Sequence, residues 1–340
     1  MKKLFLLLLV LVVFAALYGG YTVFQQPNTS NTKAVVIKIK TGSTYNDLLN
    51  LLREKKLLKN EMSFELVSRY KKYNERIKPG NYVFSPGMNN RQMVNMLKAG
   101  LQVPVKLVVY NIRTKEDFAG LVGRTLELDS NEVLENLNHK TFCDSLHCNT
   151  DNILSFFIAD NYEFYWDKQN TDMQKFMEVM RDANENFWTE ERLKRAEQLN
   201  FTKTQVVTLA SIVEKEVIFD KEMTTVAGVY LNRLNIGMPL QADPTLVFAT
   251  RDFDTRRVTN YHKEFDSPYN TYKYAGLPPG PICIPRKKSI DAVLNADEHN
   301  YLYFCANPDM SGYSIFSENY EQQMKVAAMY RKKLNAMHIH

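Results

Sequence analysis

Glu214 and Glu216 lie in an otherwise largely apolar run, VVTLASIVEKEV from Val206 to Val217, and are the residues best suited to acid–base chemistry. On a helix turning about 100° per residue, Val206, Leu209, Ala210, Val213 and Val217 share one apolar arc, with Lys215 opposite beside Thr208 and Ser211. Both glutamates fall on the borders of that arc. Partial desolvation there penalises the anion and raises a carboxyl pKa. A carboxyl that keeps its proton near neutrality can act as a general acid on a glycosidic oxygen. The same spacing also describes an amphipathic helix whose flanking glutamates reach back to water, and the wheel does not separate Glu214 from Glu216.

The elements that would position this pair follow directly. A second helix is predicted over about Asp220 to Asn235, with Asp220 as N-cap and Gly237 just past its end. Next comes MPLQADPT, from Met238 to Thr245, whose two prolines exclude a helix interior, and later SPYNTYKYAGLPPGPICIP, from Ser267 to Pro285. Both stretches combine rigid turns with side chains that hydrogen-bond sugar hydroxyls and acetamides. Gln241, Asp243, Asn270 and Tyr272 are the candidates for holding sugar rings, with turn capping and core packing as their alternative roles.

LASIVEKEV, YLNRL, MPLQADPT, SPYNTY and GLPPGPI occur in the order and at the spacing of the endolytic murein transglycosylase (YceG-like) family. The chain resembles that family from its first apolar segment to about Leu334. The resemblance implies an α+β fold and a peptidoglycan-cleaving enzyme without metal or cofactor, in which Glu214 is the catalytic acid and Glu216 is not. Thr245, Thr271, Tyr230 and Asn232, in the same motifs, join Gln241, Asp243, Asn270 and Tyr272 as candidate substrate-binding residues. Two departures stand out. The family's Glu-Gly is missing before Ala159-Asp160-Asn161-Tyr162, and Ser314 and Gln323 occupy places where many relatives carry histidine.

The expected reaction needs a single carboxyl group. Protonated, it would donate to the oxygen joining N-acetylmuramic acid to N-acetylglucosamine. The muramyl C6 hydroxyl would then attack its own anomeric carbon, giving a 1,6-anhydro end, a capture that high effective molarity favours over water. Rival readings are a muramidase with Asp243 as second carboxylate, a non-catalytic glycan-binding protein, and a scaffold for wall-synthesis proteins.

Composition is that of a globular chain, 45% hydrophobic and 24% charged over 340 residues. The net charge of +5 is dispersed, which gives nucleic-acid binding little support, and no zinc-type spacing or phosphate loop occurs. Lys2 and Lys3 precede the uncharged run Leu4 to Phe24, which at about 1.5 Å per residue matches a hydrocarbon core of about 30 Å. Ala15-Ala16-Leu17 and Gly19-Gly20 match a signal-peptide cleavage site imperfectly. An uncleaved anchor in the cytoplasmic membrane is therefore expected, with residues 1–3 in the cytoplasm and the rest outside.

The domains expected are a transmembrane helix (4–24), a linker (25–34), a small βααβ module similar to LysM (35–101), a mixed α+β catalytic domain (102–335) and a tail (336–340). Strand-turn-helix patterning begins at VVIKIK and KTGSTYNDLLNLL and returns at Phe84-Ser-Pro-Gly87, with Gly87 matching Gly42 and Asn95 matching Asn50. The aromatic run FFIADNYEFYW is expected in the core, with sugar stacking by Tyr162 or Trp166 as the alternative. Of four cysteines, Cys143 and Cys148 could close a local disulfide, whereas Cys283 and Cys305 sit in apolar settings.

Overall fold

The computed structural model describes residues 2–336, residue 256 excepted. The backbone divides into two compact units. One is Met1–Leu107 with Val122–Asp129 and Glu163–Phe176; the other is Val108–Leu121 with Ser130–Tyr162 and Met177–His340. Helices mix with short strands paired in two-stranded sheets, so the class is α+β.

The first unit begins with α1 (Lys2–Phe24), among the described residues the one helix long and apolar enough to cross a membrane. None of its residues is buried. The polar stretch after it is packed down rather than loose, for Asn28 and Thr29 are buried. Asn28 Nδ2 donates to Asn90 Oδ1 at 2.7 Å and to the Asn60 carbonyl at 2.8 Å. Asn90 Nδ2 in turn donates to the Val23 carbonyl in the last turn of α1. Asn and Thr read as turn residues in sequence because their side chains bond backbone groups, and here that ability ties the segment down.

Then follow β1 (Val35–Ile39), α2 (Tyr45–Glu54), α3 (Glu61–Tyr70), β2 (Gly80–Phe84), α4 (Asn90–Ala99) and β3 (Val105–Val108). β1 and β2 run antiparallel, with Ile37 opposite Tyr82. The likeness between the two strand-turn-helix segments is geometric. Gly42 and Gly87 both take left-handed backbone (φ 81° and 76°), and each precedes a capping box, Thr44 with Asp47 and Asn89 with Gln92. Ile37, Leu48, Leu52, Phe64, Tyr82 and Leu97 close the core beneath them.

Further along the chain come α5 (Lys115–Thr125), α6 (Ser130–Asn138), α7 (Lys140–Ser145), β4 (Asn161–Phe164), α8 (Met173–Phe187) and α9 (Glu190–Gln198). The aromatic run is core, with Phe156, Phe157, Tyr162 and Trp166 buried, and Tyr162 Oη donates to the Ile158 carbonyl at 2.6 Å. The second unit is built on α10 (Lys203–Glu216), started by a capping box of Thr202 and Gln205. This helix is not amphipathic as its sequence suggested: every residue from Val206 to Glu214 is buried. Thr208 and Ser211 go inside because their hydroxyls donate to the carbonyls of Thr204 and Thr208, both at 2.7 Å.

Around α10 pack α9, α11 (Met223–Asn235), α12 (Asp243–Thr250) and, past α13 (Asn260–Glu264), α14 (Lys287–Leu294). The expected N-cap at Asp220 is not used. Residues Asp220–Glu222 form a 3₁₀ turn, and the Asp220 carboxylate pairs with Arg286 and Lys288. Gly237 does stand just past α11 in left-handed backbone (φ 69°). The hairpin of β5 (Tyr303–Ala306) and β6 (Ser314–Ser317) and the long α15 (Tyr320–Ala336) complete the unit. All four cysteines are free thiols.

Gly280, in GLPPGPI, shows why that motif needs glycine. A Cβ there would sit 2.3 Å from the Asp151 carbonyl oxygen and 2.9 Å from Asn152 Cα, both backbone atoms that cannot swing aside. Gly280→Ala should therefore lower stability by about 1–3 kcal/mol, the range for overpacking. Urea denaturation measures this, and an unchanged midpoint would show that the loop yields freely.

Candidate active site

The last turn of α10 carries both glutamates, and the structure sends them to different places. Glu214 turns inward to α14. Its Oε2 accepts the backbone N–H of Arg286 at 2.6 Å and the hydroxyl of Ser289 at 2.8 Å. The Arg286 guanidinium stands 3.3 Å away through Nε, an ion-pair distance without hydrogen-bond alignment. Arg286 is the N-cap of α14 and its own side chain caps nothing, so Glu214 supplies an acceptor that this helix start lacks. The carboxyl thus acts as a cap and clamp between two helices.

Glu216 faces the other way, into a cleft of about 690 Å³ lined also by Arg113, Asp243, Phe248, Phe253 and Tyr330. The residue is partly exposed, yet its Oε2 is shielded from solvent and has no hydrogen-bond partner. Burial, with the Asp243 carboxylate adding to it, pushes the Glu216 pKa up to about 8; Arg233 and the Tyr230 hydroxyl pull more weakly the other way. Its setting thus favours the protonated form of Glu216 while the side chain opens onto a cavity. Asp243 heads α12 with Pro244 behind it, and its Oδ1 accepts the Tyr272 hydroxyl at 2.5 Å. Burial, the bond to Asp243 and the negative charge nearby push the Tyr272 phenol up, so it stays a donor.

The remaining sequence candidates divide by position. Tyr230 is buried beside Glu216, and burial with that neighbouring carboxyl pushes its phenol well up. Thr245, Asn270 and Thr271 are buried with their side chains engaged inside the protein. Asn270 Nδ2 donates to the carbonyls of Lys263 (2.9 Å) and Phe265 (2.8 Å), and Thr271 Oγ1 bonds Thr245 Oγ1 at 2.8 Å and the Ala242 N–H at 3.0 Å. These three set the loop that presents Asp243 and Tyr272. Gln241 is exposed in left-handed backbone (φ 51°), its N–H on the Thr271 carbonyl. Asn232 lies apart from the cleft, donating to the carbonyls of His299 and Tyr301. The structure thus joins Glu216, Asp243, Tyr272 and Tyr230, and separates Glu214 and Asn232 from them.

Sequence reasoning missed Arg286 and Ser289, which hold Glu214, and Arg233, which lies behind Glu216. The Arg233 guanidinium donates to the carbonyls of Leu302 and Leu240, each at 2.6 Å. Its place in YLNRL was the available signal. Burial pushes the Cys283 thiol up to about 12, so it is no nucleophile. No group of residues able to hold a metal ion occurs among the described residues.

An α+β scaffold whose cleft combines a protonated carboxyl, a second carboxylate and aromatic rings has the make-up of a glycan-processing protein. The YceG-like family model matches residues 37–329, and the chain belongs to that family. It is 25% identical over 338 residues to the endolytic murein transglycosylase of Bacillus subtilis, covering 96% of this chain and 92% of the relative. A Streptococcus pneumoniae protein of the same name is 26% identical over 364 residues, with 95% of this chain matched to 65% of the longer relative. The crystal structure of a YceG-like protein from Listeria monocytogenes superposes with TM-score 0.60 at 28% identity, over 87% of this chain and 99% of that one.

Two stability measurements follow from the opposed glutamates. The folded pKa of Glu216 lies above its unfolded value of 4.5, so stability should fall as pH rises from about 4.5 through about 8. Glu216→Gln removes that penalty and should be more stable than the parent by about 2 kcal/mol at pH 8, after allowance for solvent screening, and by almost nothing at pH 4. Parallel stability–pH curves for the two proteins would exclude titration of Glu216 in this window. Glu214→Ala strands two donors at the start of α14 and should instead lose about 2–3 kcal/mol in urea denaturation.

Proposed function

We propose that this protein is a membrane-anchored lytic transglycosylase that cuts peptidoglycan strands between N-acetylmuramic acid and N-acetylglucosamine, with Glu216 as the acid. The reading of the substrate rests on the family and on the names of the relatives. The observation that carries the choice of acid is the place of Glu216 in the cleft beside Asp243, with its Oε2 shielded and unbonded, a setting that raises its pKa. Resemblance alone favours Glu214, but the Glu214 oxygen is already engaged by Arg286 and Ser289 at the start of α14.

In this mechanism Glu216 donates its proton to the glycosidic oxygen as the bond to the muramyl anomeric carbon breaks. Positive charge develops on the sugar ring, and the Asp243 carboxylate, oriented by Tyr272, provides negative charge on the same cleft. The muramyl C6 hydroxyl then bonds to the anomeric carbon and gives its proton to the Glu216 carboxylate. The products are a 1,6-anhydro end and a free 4-hydroxyl, and Glu216 is reprotonated for the next cycle. α1 serves as the anchor, with Lys2 and Lys3 on the cytoplasmic side, and the β1–α2–α3–β2 segment is read as a LysM-like module outside. A second reading is hydrolysis, favoured by Asp243 on the same cleft as Glu216: the carboxylate could direct water at the anomeric carbon instead.

Glu216→Gln should lower strand cleavage by about two to four orders of magnitude. Glu214→Gln, where folded, should lose far less, and wild-type activity should fall as pH rises through about 8, where the acid ionises. Mass analysis of the released muropeptides checks the reaction type. Reducing ends in place of anhydro ends would establish the hydrolase, and a folded, inactive Glu214→Gln beside an active Glu216→Gln would return the acid to Glu214.

A further inference from the structure

General acid catalysis on a glycosidic bond needs no cation in the wall of the cleft, yet Arg113, Lys215 and Arg257 all line it. Basic residues behind the site are neutralised: Arg286 by Glu214 and Asp220, Lys287 by Asp160, and Lys288 by Asp220. Among the described residues, no ion pair neutralises the three in the cleft. Lys215 Nζ donates to the neutral Asn111 Oδ1, and the Arg113 guanidinium stands over the Phe253 ring, 4.8 Å from its centroid. Nor do they offset Glu216, whose charged neighbours are Asp243 and Arg233. All three belong to the lining of the one cleft that Glu216 and Asp243 also line. A guanidinium over an aromatic ring can still offer N–H donors to a planar carboxylate.

We propose that Arg113, Lys215 and Arg257 form an anion-binding wall for the carboxylates that hang from the muramyl residues of the substrate, an inference that rests on the peptidoglycan reading of the cleft. The sugar backbone is uncharged, so the wall has nothing to pair with there. Negative charge sits on the lactyl arm of muramic acid, as free carboxylates of the attached peptide or, in a strand stripped of peptide, as the lactyl carboxylate itself. The wall would then align a muramyl residue so that its anomeric carbon meets Glu216.

The test uses the full-length protein and three strand preparations: native, native with the peptide carboxylates converted to amides, and stripped of peptide. Wild type should cleave native strands with kcat/KM about tenfold above the amidated ones, the value of one charge-assisted contact. The double variant Arg113→Gln with Lys215→Gln should lose this preference through KM rather than kcat, and Arg113→Lys should restore part of it. Stripped strands cleaved like native ones would place the wall beside the lactyl arm, where a lactyl carboxylate can replace a peptide one, and stripped strands cleaved like amidated ones would place it further out along the peptide. Equal cleavage of native and amidated strands by wild type would overturn the proposal, whether or not the variants fold. Failure to cleave any preparation would overturn the peptidoglycan reading itself, and the wall with it.

Discussion

Between α10 and α14 a carboxylate takes the place of a helix cap. The first turn of any helix leaves backbone donors without partners, and burial makes each unmet donor costly. Arg286 cannot cap α14 with its own side chain, so Glu214 does so from another helix, joined by the Ser289 hydroxyl. That one oxygen fixes the end of α10 in position and rotation. Everything the cleft requires of Glu216 follows from that, because Glu216 is two residues on and ends the same helix.

Two residues on an α-helix are about 200° apart, so one glutamate directed at α14 obliges the other to face nearly the opposite way. Helix ends reinforce the contrast. Glu214 meets the N-terminus of α14, where negative charge is welcome, whereas Glu216 sits at the C-terminus of α10, where it is not. Burial and Asp243 act in the same direction on Glu216, so the two carboxyls sit in opposite electrostatic settings. The protonated state carries a stability penalty above its unfolded pKa, a local cost that the enclosed α10 core can carry.

Much of this was legible in the sequence. The helix over Val206 to Glu216, the buried aromatic run and the glycine just past α11 all follow from periodicity and turn chemistry. The environment of α10 did not. Thr208 and Ser211 look like a solvent face, but their hydroxyls are satisfied within the helix, so polarity there does not report exposure. The partners of Glu214 lie 72 and 75 residues away, and no local pattern could assign them. The helical wheel set both carboxyls on borders of an apolar arc, whereas Glu214 is buried with the rest of α10 and Glu216 stays partly exposed. Only the packing of α14 on one side, and of Asp243 with Tyr272 on the other, gives the two borders different chemistry.

The junction after α1 behaves in a way its composition conceals. Asn90 grips the Val23 carbonyl, Asn28 is locked to Asn60 and Asn90, and Phe24 meets the Tyr70 ring edge-on at 5.4 Å. A helix that leaves a folded body without a swivel hands its orientation to that body. These contacts, rather than a free tether, set the angle at which α1 leaves the first unit.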